Sequence, residues 1–130
     1  MIKEVILILG VLSLSACTVD ETISKFVDVT AEYVLIEMNG QPVATSASIA
    51  FPEPGKVAGQ APCNRYFATQ SAIYPWFALE GIGATRLACP NLAAESTFFA
   101  ALEDMTLAEV SGDTLILSNT VGRQMVFVAR

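Results

Sequence analysis

At 130 residues the chain is long enough for one domain with a real core. Thirteen acidic against seven basic side chains give a net charge of -6, which argues against a nucleic-acid partner and against electrostatic adhesion to anionic lipid. Histidine is absent, which removes Ser-His-Asp and Cys-His catalysis and His-ligated zinc; no metal or cofactor is expected.

Met1-Ile2-Lys3-Glu4 forms a short, weakly positive start. Val5 to Leu14 is an almost unbroken apolar run. It is shorter than the roughly 20 residues a spanning helix needs, and suits the apolar region of a signal peptide. Leu14-Ser15-Ala16-Cys17 then resembles a bacterial lipobox. On that resemblance residues 1–16 are a lipoprotein signal peptide, and Cys17 is the lipidated N-terminus of the mature chain. The alternative is an ordinary signal peptide that happens to precede a cysteine. A single acyl chain binds reversibly, at roughly 0.8 kcal/mol per buried methylene, so lipoproteins with two or three chains stay in the membrane. The same resemblance, with Thr18 where an aspartate would favour inner-membrane retention, implies the outer membrane with the domain facing the periplasm.

Residues 17–30 read as the lipidated N-terminus and a tether that lets the domain stand off the bilayer. Phe26, Val27 and Val29 could instead pack as a first strand. The domain itself is placed at residues 31–130.

Tyr33 to Met38 is rich in strand formers, and Asn39-Gly40 predicts a tight turn with positive φ. Ala47, Ile49 and Phe51 alternate with Ser46, Ser48 and Ala50, so one strand face is apolar. Pro52-Glu53-Pro54-Gly55 ends that strand, Lys56 begins the next, and Gly59 marks a bulge or a close backbone approach. Tyr66 to Ile73 and Trp76 to Ile82 are the next two predicted strands, interrupted by Tyr74-Pro75. Asn91 to Met105 is the predicted helix, with Asn91 as its cap and Leu92, Phe98, Phe99, Leu102 and Met105 as a core-facing stripe. Thr106–Val110, Thr114–Ser118 and Gln124–Ala129 complete the strands. The expected fold is mainly β with one helix: a small, partly open antiparallel β-barrel capped by that helix.

Cys63 and Cys89 are left as a pair in an oxidising compartment, where a disulfide persists. Their wide spacing and the lack of a CxxC motif weigh against a redox-active pair.

Three blocks carry a family resemblance: Asn39-Gly40-Gln41-Pro42-Val43; Gly59 with Cys63-Asn64-Arg65-Tyr66; and Thr85-Arg86-Leu87-Ala88-Cys89-Pro90, continued by Glu95, Phe98 and Leu102. With these the chain resembles META-domain proteins of the HslJ type, small bacterial envelope lipoproteins, from about Tyr33 to the C-terminus. Pro62, Ala68 and Tyr33 depart from the residues common in that family and bear on local turn geometry. The resemblance implies a barrel-like fold similar to secretion pilot lipoproteins, and a role in envelope stress, including heat induction and resistance to a hydrophobic antibiotic such as novobiocin. It implies no enzymatic activity, and no spaced carboxylate pair stands out for acid–base work.

Within the motif, Asn64 is expected in a turn, bonded to its own backbone, and Thr85 on nearby backbone. Arg65 and Arg86 could clamp a carboxylate or phosphate. The structural alternative pairs Arg86 with Glu95 and fixes the helix against the loop. The expected partners are the membrane, through the lipid anchor, and an envelope protein or an apolar ligand; a monomer is expected. Phe51, Trp76, Phe77 and Phe127 could fill the barrel interior and leave no ligand cavity. An acidic inhibitor of a basic envelope hydrolase is a further possibility.

Overall fold

A computed structural model describes residues 10–11 and 19–130. The signal-peptide and Cys17 expectations therefore lie outside the described residues. Nine strands and one helix follow in chain order: β1 (Tyr33–Met38), β2 (Gln41–Pro42), β3 (Ser48–Ile49), β4 (Lys56–Gln60), β5 (Arg65–Thr69), β6 (Glu80–Ala84), α1 (Leu92–Asp104), β7 (Leu107–Ser111), β8 (Thr114–Ser118) and β9 (Gln124–Ala129).

The strands form two antiparallel sheets. One runs β2-β1-β9-β8-β7, with β3 also paired to β1; the other runs β4-β5-β6. Ala50 and Ala58 exchange backbone hydrogen bonds of 2.7 and 3.0 Å and so join β3 to β4. Across the opposite gap, the Phe77 N–H donates to the Thr106 carbonyl at 2.9 Å and the Ala108 N–H to the Pro75 carbonyl at 2.8 Å. That gap is crossed by the β5–β6 connection, not by strand-to-strand pairing of β6 with β7. The fold is thus mainly β with one helix, curled but not closed into a barrel.

The local reasons follow from the residues. Asn39 (φ 51°) and Gly40 (φ 80°) supply the two left-handed positions that turn β1 into β2. In β8, Leu115 and Leu117 are buried while Ile116 faces the other way, as the pleat requires. Phe51, Phe77 and Phe127 fill the interior together with Tyr33, Tyr66 and Phe98. Trp76 does not join them and is exposed, because Phe77 takes the inward position of that pair.

Several expectations are corrected. Residues 20–30 pack on the domain and are not a free tether: Ile23 is buried in the core, and a 3-10 turn spans Ile23–Lys25. The Phe26 ring stacks on Tyr74 with centroids 4.1 Å apart, and the Asp28 N–H donates to the Tyr33 hydroxyl at 2.9 Å. Phe26, Val27 and Val29 do not form a strand. The strand expected to reach Ile73 stops at Thr69, because buried Gln70 bends the chain. Its Oε1 accepts from the N–H groups of Ala72 (2.9 Å) and Ala78 (3.3 Å). The following strand begins only at Glu80. Along the helix Phe98 and Leu102 are buried, Phe99 is half-buried and Leu92 is exposed; Met105, just past the helix end, is buried as well. The Asn91 side chain makes no capping bond among the described residues; its backbone carbonyl accepts the Glu95 N–H at 3.0 Å.

Gly59 marks a close approach. A Cβ there would collide with the Ser48 carbonyl oxygen and lie 2.8 Å from the Tyr66 ring. Gly59→Ala is expected to lower stability by about 1–3 kcal/mol through overpacking, read as a drop in melting temperature.

Candidate functional site

The motif residues meet where β5 starts beside the first turn of α1. Glu95 lies on that turn, buried, where the helix N-terminus favours a carboxylate. Its Oε1 accepts the backbone N–H groups of Asn64 (2.6 Å) and Cys63 (3.1 Å). Its Oε2 accepts the Asn64 Nδ2 at 2.8 Å. Burial pushes the carboxyl up, but the bonds from the Asn64 side chain, the Asn64 backbone and the Cys63 backbone outweigh it, so the group titrates below its ordinary range.

Asn64 carries the network across to the next loop. Its Oδ1 accepts the Leu87 N–H at 2.7 Å and the Thr85 hydroxyl at 3.0 Å, while its Nδ2 also reaches the Leu87 carbonyl at 3.4 Å. The Thr85 N–H donates to the Arg65 carbonyl at 3.0 Å. The Cys63–Cys89 disulfide closes the same loop, with Cα atoms 6.1 Å apart. Thus one amide side chain, one carboxylate and one covalent bond fasten residues 85–89 to β5 and to the helix.

This arrangement corrects three residue roles. Asn64 is not a left-handed turn residue bonded to its own backbone; it bridges segments distant in sequence. Thr85 bonds the Asn64 side chain, not only nearby backbone. Arg86 does not pair with Glu95, because both carboxylate oxygens are already taken by N–H donors inside the fold and the guanidinium stays outside. The ion pair among the described residues joins Arg123 to Asp104 at 3.1 Å. Nor do the two arginines form one clamp. Arg86 borders a cavity of about 310 Å³ with Asn64, Leu87, Leu92 and Glu95. Arg65 borders another, of about 430 Å³, with Glu32, Gly59 and Gln60.

Tyr66 lies below this region. Its hydroxyl donates to the Ser48 carbonyl at 2.6 Å, and its ring meets Phe98 and Phe99 edge-on at 5.7 and 5.4 Å. Burial, and after it the Glu32 carboxylate, push the phenol above its ordinary pKa. Sequence reasoning missed Ser48, which is buried despite its polar position in the alternation. Its hydroxyl donates to Glu32 and accepts the Gln60 N–H at 3.1 Å. The signal available was Gly59, whose missing side chain makes room for the Ser48 carbonyl.

Comparison with known proteins supplies the context. The family model described as META domain matches residues 27–130. Among curated proteins, none matches this chain. Three solved structures are similar in fold, two of them from named organisms. One is an NMR structure of a protein from Burkholderia xenovorans, at TM-score 0.65 and 18% identity, covering 88% of this chain and 93% of that one. The other is a crystal structure of a DUF4847-family protein from Bacteroides vulgatus, at TM-score 0.66 and 12% identity, covering 80% and 95%.

Proposed function

The chain belongs to the META-domain family, which is envelope-associated, and on that premise we propose that it is a non-enzymatic outer-membrane lipoprotein that supports envelope integrity under stress. In this reading Cys17 carries the acyl chains and the domain faces the periplasm. The observation that supports it best is the inward turn of the motif. Asn64, Thr85 and Glu95 bond one another and nearby backbone, and among the described residues no buried side-chain polar atom lacks a partner. The motif therefore acts as a clasp that stiffens the exposed Thr85–Pro90 loop, as suits a protein that must persist under heat. Two partners remain in this reading, an envelope protein or an apolar ligand. The packed interior, with Phe51, Phe77, Phe98 and Phe127 buried, favours the protein.

A deletion strain is expected to lose at least about ten-fold in survival on heating and on novobiocin. Wild type should restore it and Cys17→Ala should not. Survival equal to the parent strain under both stresses would overturn the reading. Native mass spectrometry of the mature protein is expected to show the acylated polypeptide alone; a stoichiometric extra lipid would favour the carrier.

A further inference from the structure

The segment from Asp20 to Asp28 is fastened to the domain. Asp20 is fixed to the fold: its Oδ1 accepts the Thr22 N–H at 2.9 Å and the Thr22 hydroxyl at 2.7 Å, and its Oδ2 accepts the Ser24 hydroxyl at 2.6 Å. The Glu21 carbonyl accepts the Tyr74 N–H at 2.9 Å. From Asp20 the chain is held to the fold, and Asp20 lies three residues beyond Cys17 in the sequence. Three residues span at most about 10 Å. The headgroup layer on one side of a bilayer is itself roughly 5–8 Å thick. A lipid at Cys17 therefore leaves the domain no room to stand off.

Exposed apolar and aromatic side chains lie near this point, among acidic ones. Val19 is 67% exposed, Ile73 58%, Trp76 59% and Phe26 47%. Val19 and Ile73 border the same cavity, together with Asp20 and Thr22. Phe26 stacks on Tyr74, and the Trp76 N–H closes a turn onto the Ile73 carbonyl at 2.8 Å. Exposed aromatic side chains beside an anchor suit the interfacial layer, where an apolar ring and a polar edge are both satisfied.

We infer that the face formed by Val19, Phe26, Ile73 and Trp76 lies in the headgroup layer of the bilayer that holds Cys17. The inference rests on the lipoprotein reading above and deepens it. Its partner is a zwitterionic lipid surface. Asp20, Glu21 and Asp28 beside the patch outnumber Lys25, so anionic lipid adds no attraction.

Trp76 is the single tryptophan, so its emission reports this face alone. The mature protein is purified from membranes and placed in phosphatidylethanolamine vesicles, with or without phosphatidylglycerol. Blue-shifted emission is expected. Quenching should be at least two-fold stronger from lipids brominated near the headgroup than from those brominated deep in the chain. Added phosphatidylglycerol should not increase it. The variant Val19→Ser with Ile73→Ser, both at exposed positions, should lose about half of that quenching. Mass analysis of the N-terminal peptide separates the two ideas. An unmodified Cys17 overturns the anchor and the docking face together. An acylated Cys17 with unquenched Trp76 overturns the docking face alone. Emission that follows protein density and not bromine depth would put a second copy on this face and also overturn it.

Discussion

Glu95→Ala is expected to cost about 3–5 kcal/mol of folding stability, read as a lower urea midpoint at unchanged slope. The change leaves the Cys63 N–H, the Asn64 N–H and the Asn64 Nδ2 without their acceptor in a buried site. Each stranded donor costs about 1–3 kcal/mol, and a domain has only about 5–15 kcal/mol in all. Glu95→Gln keeps the shape and one acceptor but turns an NH2 toward a donor, so about half that loss is expected. The carboxyl also gives stability a pH dependence. Its pKa in the fold lies below its ordinary value of 4.5, so its contribution is complete above that value and is lost as pH falls through the lower one. Asp20 and Asp28 are depressed too, held by hydrogen bonds from Ser24 and Thr22 and from Thr30, and act in the same direction. The urea midpoint of the wild type should therefore fall below pH 4.5, and Glu95→Gln should fall less steeply. Parallel curves for the two proteins would remove Glu95 from the acid response.

What the sequence revealed and what it hid divide along a physical line. Features written into a few neighbouring residues were legible: the Asn39-Gly40 turn, the strand at β8, the buried stripe of Phe98, Leu102 and Met105, and the close approach at Gly59. Features that depend on which distant segment arrives were not. Charge and reach made Arg86 the natural mate of Glu95, but the carboxylate is buried and meets backbone N–H groups that no pattern announces. Residues 20–30 look polar enough for a linker. Yet Ile23 is buried in the core, and Asp20 folds its own neighbours into a turn. Gln70 likewise ends a strand because its amide is buried among backbone donors, a tertiary fact without a local signature. The Cys63–Cys89 pairing was legible because only two cysteines remained once Cys17 was set aside.

Reduction of that disulfide is expected to lower stability by roughly 3.5 kcal/mol on the chain-entropy model for a loop of this length, a separation of 26 residues. Here the covalent bond does not act alone. Cys63 donates its N–H to Glu95, and the loop that carries Cys89 is also held through Leu87 and Thr85 on Asn64. Each fastening orders the segment that the other grips. Contacts that share partners in this way are coupled by about 0.5–3 kcal/mol. Reduction should therefore cost about 1 kcal/mol less in Glu95→Gln than in the wild type, measured as the difference between oxidised and reduced urea midpoints in each protein. Equal losses would mean that the sulfurs act only by shortening the unfolded chain, and that the hydrogen-bonded clasp keeps its geometry without them. A smaller loss in Glu95→Gln ties the bond to the native network, so that reducing conditions would loosen the Thr85–Pro90 loop before the sheets themselves give way.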